Sequence, residues 1–365
     1  MTKARTNATT APAVGRNMVI NGAMNVAQRS ASVTGIGASS GYVGPIDRFR
    51  ISAGTTAGRL TASQTSDGPN GISANCLKFD CTTADTSIAA GEKLSIEQRF
   101  EGQNLQRIGK GVAGAKQVTV SFYVKANASF TFACELYDHD NSRQISKLFS
   151  VTSNWSRVEL TFPADVDDGS SPFGDDNALS LSLFIALHAG SNFTSGTLNT
   201  SSWANATDAN RLVGIDSFYS STDNNFFITG VQMEVGPVVT EFEQEQISTT
   251  LAKCQRYYYQ HTTGNATRLI PGSAVTYDAD FLLLGVQFPF QMRGTPALVE
   301  TGGTNFLRYF HTDASLNFDE FGNMQEASSI GANIYNESLS GLTDGNVGWV
   351  RAVDASYVLA FDSEL

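Results

Sequence analysis

The stretch Gln117-Val-Thr-Val-Ser-Phe-Tyr-Val-Lys125 constrains the fold of this chain more than any other. Val118, Val120, Phe122 and Val124 share one side of an extended backbone, and Thr119, Ser121, Tyr123 and Lys125 share the other. That strict period of two belongs to a strand with one buried face. Ser156–Phe162 repeats it through Val158, Leu160 and Phe162. The run from Ala178 to Ala189 is apolar more continuously, as a central strand of a packed sandwich would be. Strands of this kind, separated by turns rich in Gly, Asn, Asp and Ser, predict an all-β chain built on a two-sheet antiparallel sandwich. A charged fraction of only 16% and 33 glycines suit that fold better than a helical one.

One helix is expected, at 246–260, where Ile247, Leu251, Cys254 and Tyr258 fall on one helical face. It would link residues 17–245 to a second, smaller β domain at 261–365. Strands in that domain are expected in Phe281–Phe290, Met292–Val299 and the closing Ser356–Leu365. A chain that ends on a strand is tied down in its own sheet or paired with a neighbouring subunit. Residues 1–16 are polar and aperiodic, with too little apolar surface to order themselves, so a partner would have to order them.

The formal net charge of −11 repels nucleic-acid phosphates and argues against duplex binding as the main task. Cys76, Cys81, Cys134 and Cys254 have neither metal-ligand nor redox spacing, so buried free thiols and assembly in a reducing cytoplasm are expected. The N-terminus lacks the apolar core of a signal peptide. The longest apolar stretches are too short to insert in a membrane as helices.

Chemistry is sparse. The literal G-x-G-x-x-G at Gly109–Gly114 runs into the Val118 strand, not a helix, so an inter-strand loop is the expected reading. Asp165, Asp167 and Asp168 offer oxygen ligands of the kind Ca²⁺ takes, but without EF-hand spacing, and a solvated acidic loop is the simpler reading. No other cofactor is implied. The four histidines pair with no Cys or Glu at metal-ligand spacing. No nucleophile–base arrangement stands out, so a non-enzymatic role is expected. Trp203, in a polar loop, and the consecutive Tyr257, Tyr258 and Tyr259 are the candidate ligand or interface residues. Three adjacent aromatics on a helix could not all be buried.

Two distant segments add a resemblance. Asn17-Met-Val-Ile-Asn-Gly-Ala-Met-Asn-Val-Ala-Gln-Arg29, followed by Pro45-Ile-Asp-Arg-Phe-Arg50, resembles the opening strand of tailed-phage tail-fibre and virion structural proteins. Phe226-Phe-Ile-Thr-Gly-Val-Gln-Met-Glu-Val-Gly236, Glu241-Phe-Glu243 and the run Leu251–Tyr257 resemble the closing strand and helix. Ile96–Glu101 and Ser121–Lys125 resemble its interior strands, and Phe361–Leu365 its ending. The resemblance implies a carbohydrate-binding-module-like jelly roll in a trimeric virion appendage. A tail fibre or receptor-binding adhesin is the leading expectation. A capsid-attached head fibre or decoration protein and a polysaccharide depolymerase are the alternatives. The implied partners are further copies of the chain, another virion protein held through residues 1–16, and a host-surface glycan or protein contacted by residues 261–365.

Overall fold

The computed structural model describes residues 15–38, 41–166, 172–262, 272–312 and 314–365. They divide into two units, one running to Ile247 and taking in Leu365, the other Ser248–Glu364. In the first unit the strands are β1 (Ser32–Ile36), β2 (Arg50–Gly54), β3 (Arg59–Thr65), β4 (Cys76–Thr83), β5 (Lys93–Glu101), β6 (Val118–Ala126), β7 (Phe130–Asp138), β8 (Arg143–Val151), β9 (Ser156–Phe162), β10 (Leu179–Ala189), β11 (Ala204–Asn205) and β12 (Asn225–Val235). They make two six-stranded antiparallel sheets, ordered β1-β3-β4-β12-β6-β9 and β11-β8-β7-β10-β5-β2. Side chains such as Phe79, Phe122 and Ile228 from the first and Ile96, Phe132 and Ile185 from the second fill one core. This is an antiparallel jelly-roll sandwich. As the sequence pattern predicts, Val118, Val120, Phe122 and Val124 are buried in it, and β10 lies centrally between β7 and β5. A single turn of helix, α1 (Ser191–Thr194), follows β10.

The segment Asn17–Arg29 is not the opening strand that the resemblance implies. It is a turn-rich clasp held by side-chain amides. Asn17 receives the backbone N–H of Met233 at 3.0 Å and donates to the Val231 carbonyl at 3.1 Å, both on β12. The Gly22 carbonyl accepts from Val231 N–H at 3.0 Å. A Cβ on Gly22 would lie 2.1 Å from the Val231 oxygen, so no side chain fits there. Asn21, buried and in the left-handed region at φ 62°, accepts from the amides of Asn25 and Val26 and donates to the carbonyls of Val26 and Asp47. Asp47 in turn binds Gln28 and faces Arg29 at 3.8 Å. Burial pushes the Asp47 carboxyl up, against the opposing pull of Gln28 and Arg29. Gln98 on β5 pairs with both backbone groups of Ile20, and Glu243 accepts the amides of Gly15 and Asn17. Gly15 and Arg16 are therefore fixed to the body and do not belong to a free arm. The rest of the arm lies outside the described residues.

The second unit contains α2 (Ile247–Gln255) and the strands β13 (Tyr258–Gln260), β14 (Gly272–Thr276), β15 (Leu282–Gln287), β16 (Ala297–Thr301), β17 (Leu307–His311), β18 (Ala314–Phe318), β19 (Asn323–Gln325), β20 (Gly331–Asn336), β21 (Val347–Ala352) and β22 (Val358–Asp362). They form antiparallel sheets ordered β13-β22-β16 and β18-β17-β21-β14-β15-β20-β19. The helix is shorter than the sequence pattern predicts. It ends at Gln255, its buried positions are Thr250 and Cys254, and Ile247 is 56% exposed. The terminal strand β22 is flanked on both sides, by β13 and β16, so it leaves no edge for another subunit. All four cysteines are free and buried. Among the described residues no helix is long and apolar enough to cross a membrane.

Replacing Asn21 with alanine would strand two buried carbonyls and two amides and place a residue poorly suited to positive φ. The expected loss is about 3 kcal/mol or more. Asn21→Ala and Gly22→Ala should each lower the urea midpoint strongly, while Asn154→Ala, in an exposed turn, should not. Equal midpoints for all three would show that the clasp does not hold the sandwich.

Candidate ligand-binding cleft

The outer face of the β11-β8-β7-β10-β5-β2 sheet carries a row of polar side chains opposite the core. Along β5, Leu94, Ile96 and Phe100 point inward, so Lys93, Glu97 and Arg99 point outward. Pairing aligns Arg50 of β2, Glu97 of β5, Phe184 of β10 and Glu135 of β7 in one row. Arg99, Ser182 and Tyr137 form the next. Arg50, Lys93, Glu97, Arg99, Phe184 and Tyr137, with His139, Ser52 and Arg211, line an open cleft of about 370 Å³.

Glu97 organises its floor. It accepts from Arg50 Nη1 at 2.5 Å, Arg99 Nε at 2.8 Å and Ser182 Oγ at 2.8 Å. Burial works against its charge, but the Arg99 and Arg50 guanidiniums outweigh burial and hold the carboxyl below its ordinary range. Arg211 grips Glu135 with two hydrogen bonds, at 2.7 and 3.0 Å, and stands 4.8 Å from the Tyr137 ring centre. Tyr137 and the His139 ring are 4.8 Å apart. The aromatic wall is thus locked from beneath by a buried ion pair, which leaves little ordering to be done on binding.

The Ser182 hydroxyl donates to Glu97, so the His139 Nε2 at 2.9 Å must donate to it and has no lone pair to take its proton. A glycosidase acid needs a raised pKa, whereas Glu97 is held ionised.

The residues singled out from the sequence lie elsewhere. Trp203 is half-buried against the sandwich core, and its indole N–H donates to the Pro163 carbonyl at 3.0 Å. It is a packed loop aromatic, not a platform. Tyr257 and Tyr258 are 1% and 4% exposed. The chain leaves the helix before them and enters β13, so alternation replaces the helical fan. Tyr259 stacks on Phe361. Asp165 is bound by Arg143 at 2.8 Å through both oxygens and by Lys110 at 3.1 Å, so its carboxylate oxygens face side-chain cations. Asp167 and Asp168 lie outside the described residues. Lys110 comes from the glycine-rich loop, which leads into β6 as expected but is pinned by this buried ion triad.

One metal-ligand set does form among the described residues. Asp85, Glu92 and His188 lie with their ligand atoms within 4.8 Å of one another, all buried. His188 and Glu92 are 96 positions apart, which is why spacing missed them. The signal for the cleft was also present in the sequence, as Glu97 and Arg99 on the polar phase of an otherwise core-facing strand.

No known protein-family profile matches this chain, and no characterised protein matches it in sequence. Solved structures resemble it loosely. A family 4 carbohydrate-binding module matches at 9% identity over 59% of this chain and 97% of its own, with a TM-score of 0.30. The family 11 module of the cellulosomal cellulase Lic26A-Cel5E of Clostridium thermocellum matches at 12% identity over 59% and 100%, with 0.27. The xylan-binding CBM22-1 domain from Paenibacillus barcinonensis Xyn10C matches at 12% identity over 57% and 95%, with 0.26. At this degree of superposition the likeness says nothing about what this chain binds.

Burial lowers the affinity of His139 and His188 for protons from the ordinary 6.5. The unfolded chain therefore takes up more protons as pH falls. The stability from neutral histidines is complete above 6.5 and is lost as pH drops through the lowered folded values. Asp47 and Glu300, raised by burial, act with the opposite sign, losing stability as pH rises through their own range. The histidine part is read from His139→Gln and His188→Gln together. Unfolding free energy in the double variant should vary less between pH 7 and 5 than in the wild type, by up to about 1.4 kcal/mol per pH unit per histidine. An unchanged pH profile would contradict burial of neutral rings.

Proposed function

We propose that this chain is a non-catalytic glycan-binding structural protein of a tailed-phage virion, a tail fibre or fibre-like adhesin, with the β2-β5-β10-β7 cleft as its contact face. The observation that carries the binding part is the cleft itself: a half-buried Tyr137 beside fixed arginines, with the buried Phe184 in the floor, on the outer face of a sandwich. Sugars are held by a few aromatic surfaces and directional hydrogen bonds, and a preformed site of this size suits two or three sugar rings. The virion part rests on the sequence resemblance, whose motif residues interlock in the clasp. Threefold assembly, attachment through the residues before Gly15 and a place in the particle belong to the same proposal. The features that would have argued for oligomerisation are largely satisfied within one chain: Tyr257 and Tyr258 are buried, Tyr259 is half-buried, and β22 is flanked by β13 and β16.

The proposal moves the contact face from residues 261–365 to the first unit, because the built cleft lies there. The second unit offers a flatter alternative, Phe310 stacked on Trp349 at 4.2 Å with Arg351 over both rings. A head fibre would use the same cleft on the capsid, and a depolymerase would need a protonated carboxylic acid that Glu97 does not supply.

Tyr137→Ala should leave the far-ultraviolet circular dichroism unchanged and reduce binding of the full chain to host cells by about tenfold. Trp349→Ala should have little effect, and no reducing ends should appear in either case. Undiminished binding by Tyr137→Ala with loss in Trp349→Ala would move the contact face back to the second unit. Release of reducing ends would revive the depolymerase.

A further inference from the structure

The charge of the cleft runs against the charge of the chain. Arg50, Lys93, Arg99 and Arg211 face Glu97, with Glu135 beneath. Four cations against two carboxylates leave two positive charges, or one if Asp208 beyond Arg211 is counted, and Arg99 also donates to the Leu365 oxygen at 2.7 Å, so the unspent charge is that of Lys93 and Arg50. The molecule as a whole carries −11. A positive cleft on a negative body focuses attraction on one face.

Two of these cations have unused capacity. Among the described residues, Lys93 Nζ makes no hydrogen bond or ion pair. It lies over the Phe193 ring, 5.4 Å from its centre. Arg50 donates through Nη1 to Glu97, leaving the rest of its planar donor fork available. Burial, and then the charge of Arg211, make Lys93 easier to deprotonate than a free lysine, which marks a place short of negative charge. Lys93 pairs with Gly54 and Arg50 with Glu97 across β2 and β5, so their backbone positions are four residues apart. That is about 13 Å along the strands. Two cations so spaced, with Phe184 on the adjoining β10 and Tyr137 on β7 beyond it, suit a chain of sugars bearing repeated anionic groups better than a single inorganic ion.

We infer that the ligand of this cleft is an acidic glycan, its carboxylate or phosphate groups received by Lys93 and Arg50 while sugar faces rest on the aromatic wall. The inference rests on the reading of the cleft as a glycan site and adds the ligand's charge. The test is isothermal titration of the full chain with oligogalacturonate, oligosialic acid and glycerol-phosphate teichoic acid, each beside a neutral galacto-oligosaccharide of equal length. At least one acidic probe should bind, with affinity falling about tenfold between 50 and 300 mM NaCl as charges are screened. Lys93→Met, which keeps the stem, and Arg50→Gln should each weaken that binding about tenfold, and Lys93→Arg should restore most of it. If the neutral probe binds equally well and Lys93→Met changes nothing, the acidic-ligand inference falls and the glycan reading stands. If no probe of either charge binds, both fall. If acidic probes bind but neither variant weakens them, the cleft is not where they sit, and the inference falls.

Discussion

The clasp of Asn17, Asn21 and Asp47 is the constraint on which the rest of the first unit depends. A sandwich whose chain begins with a turn-rich segment must satisfy a run of backbone groups that no strand pairs. Here side-chain amides do that work. Asn21 alone closes four hydrogen bonds around the turn, and Asn17 and Gly22 lay the segment along β12 at its bulge. Gly230, at φ 62° within that bulge, and Gly22, pressed on the Val231 carbonyl, are two places along this contact where a side chain cannot be tolerated. Buried amides of this kind are costly when half satisfied and specific when complete.

The clasp and the cleft are opposite sides of one strand. On β5, Gln98 faces inward to hold Ile20, while its neighbours Glu97 and Arg99 face outward and build the cleft floor. Arg48, next to Asp47 in the clasp, donates to the Arg99 carbonyl at 2.8 Å. The period of two therefore separates the clasp from the cleft along a single strand, and fixing the inner face fixes the outer one. The paired charges then hold the aromatic wall with few degrees of freedom left, the condition for binding a flexible glycan without a large entropic penalty.

Much of the fold was legible in the sequence, and little of the site. Alternation in Val118–Val124 and continuous burial along Leu179–Ala189 are local signals, and the two sheets express them directly. The motif pair Asn17–Arg29 and Phe226–Gly236 pointed to a relationship between distant segments, but its physical content is a side-chain lock, invisible until Asn17 meets Met233. The tyrosines misled because the helix stops at Gln255. Once Tyr258 is in a strand, a helical wheel no longer applies. Trp203 misled because a polar loop can still fold its aromatic against a core. The cleft assembles from β2, β5, β7 and β10 across 160 residues of sequence between Arg50 and Arg211, and only register brings them together.

The most direct measurement is a crystal structure of the full chain soaked with an acidic oligosaccharide. The account predicts sugar density across β2, β5, β10 and β7, with a ring against Tyr137 and an anionic group within hydrogen-bonding distance of Lys93. Ordered sugar at the Phe310–Trp349 pair, with the cleft face holding only solvent, would contradict it.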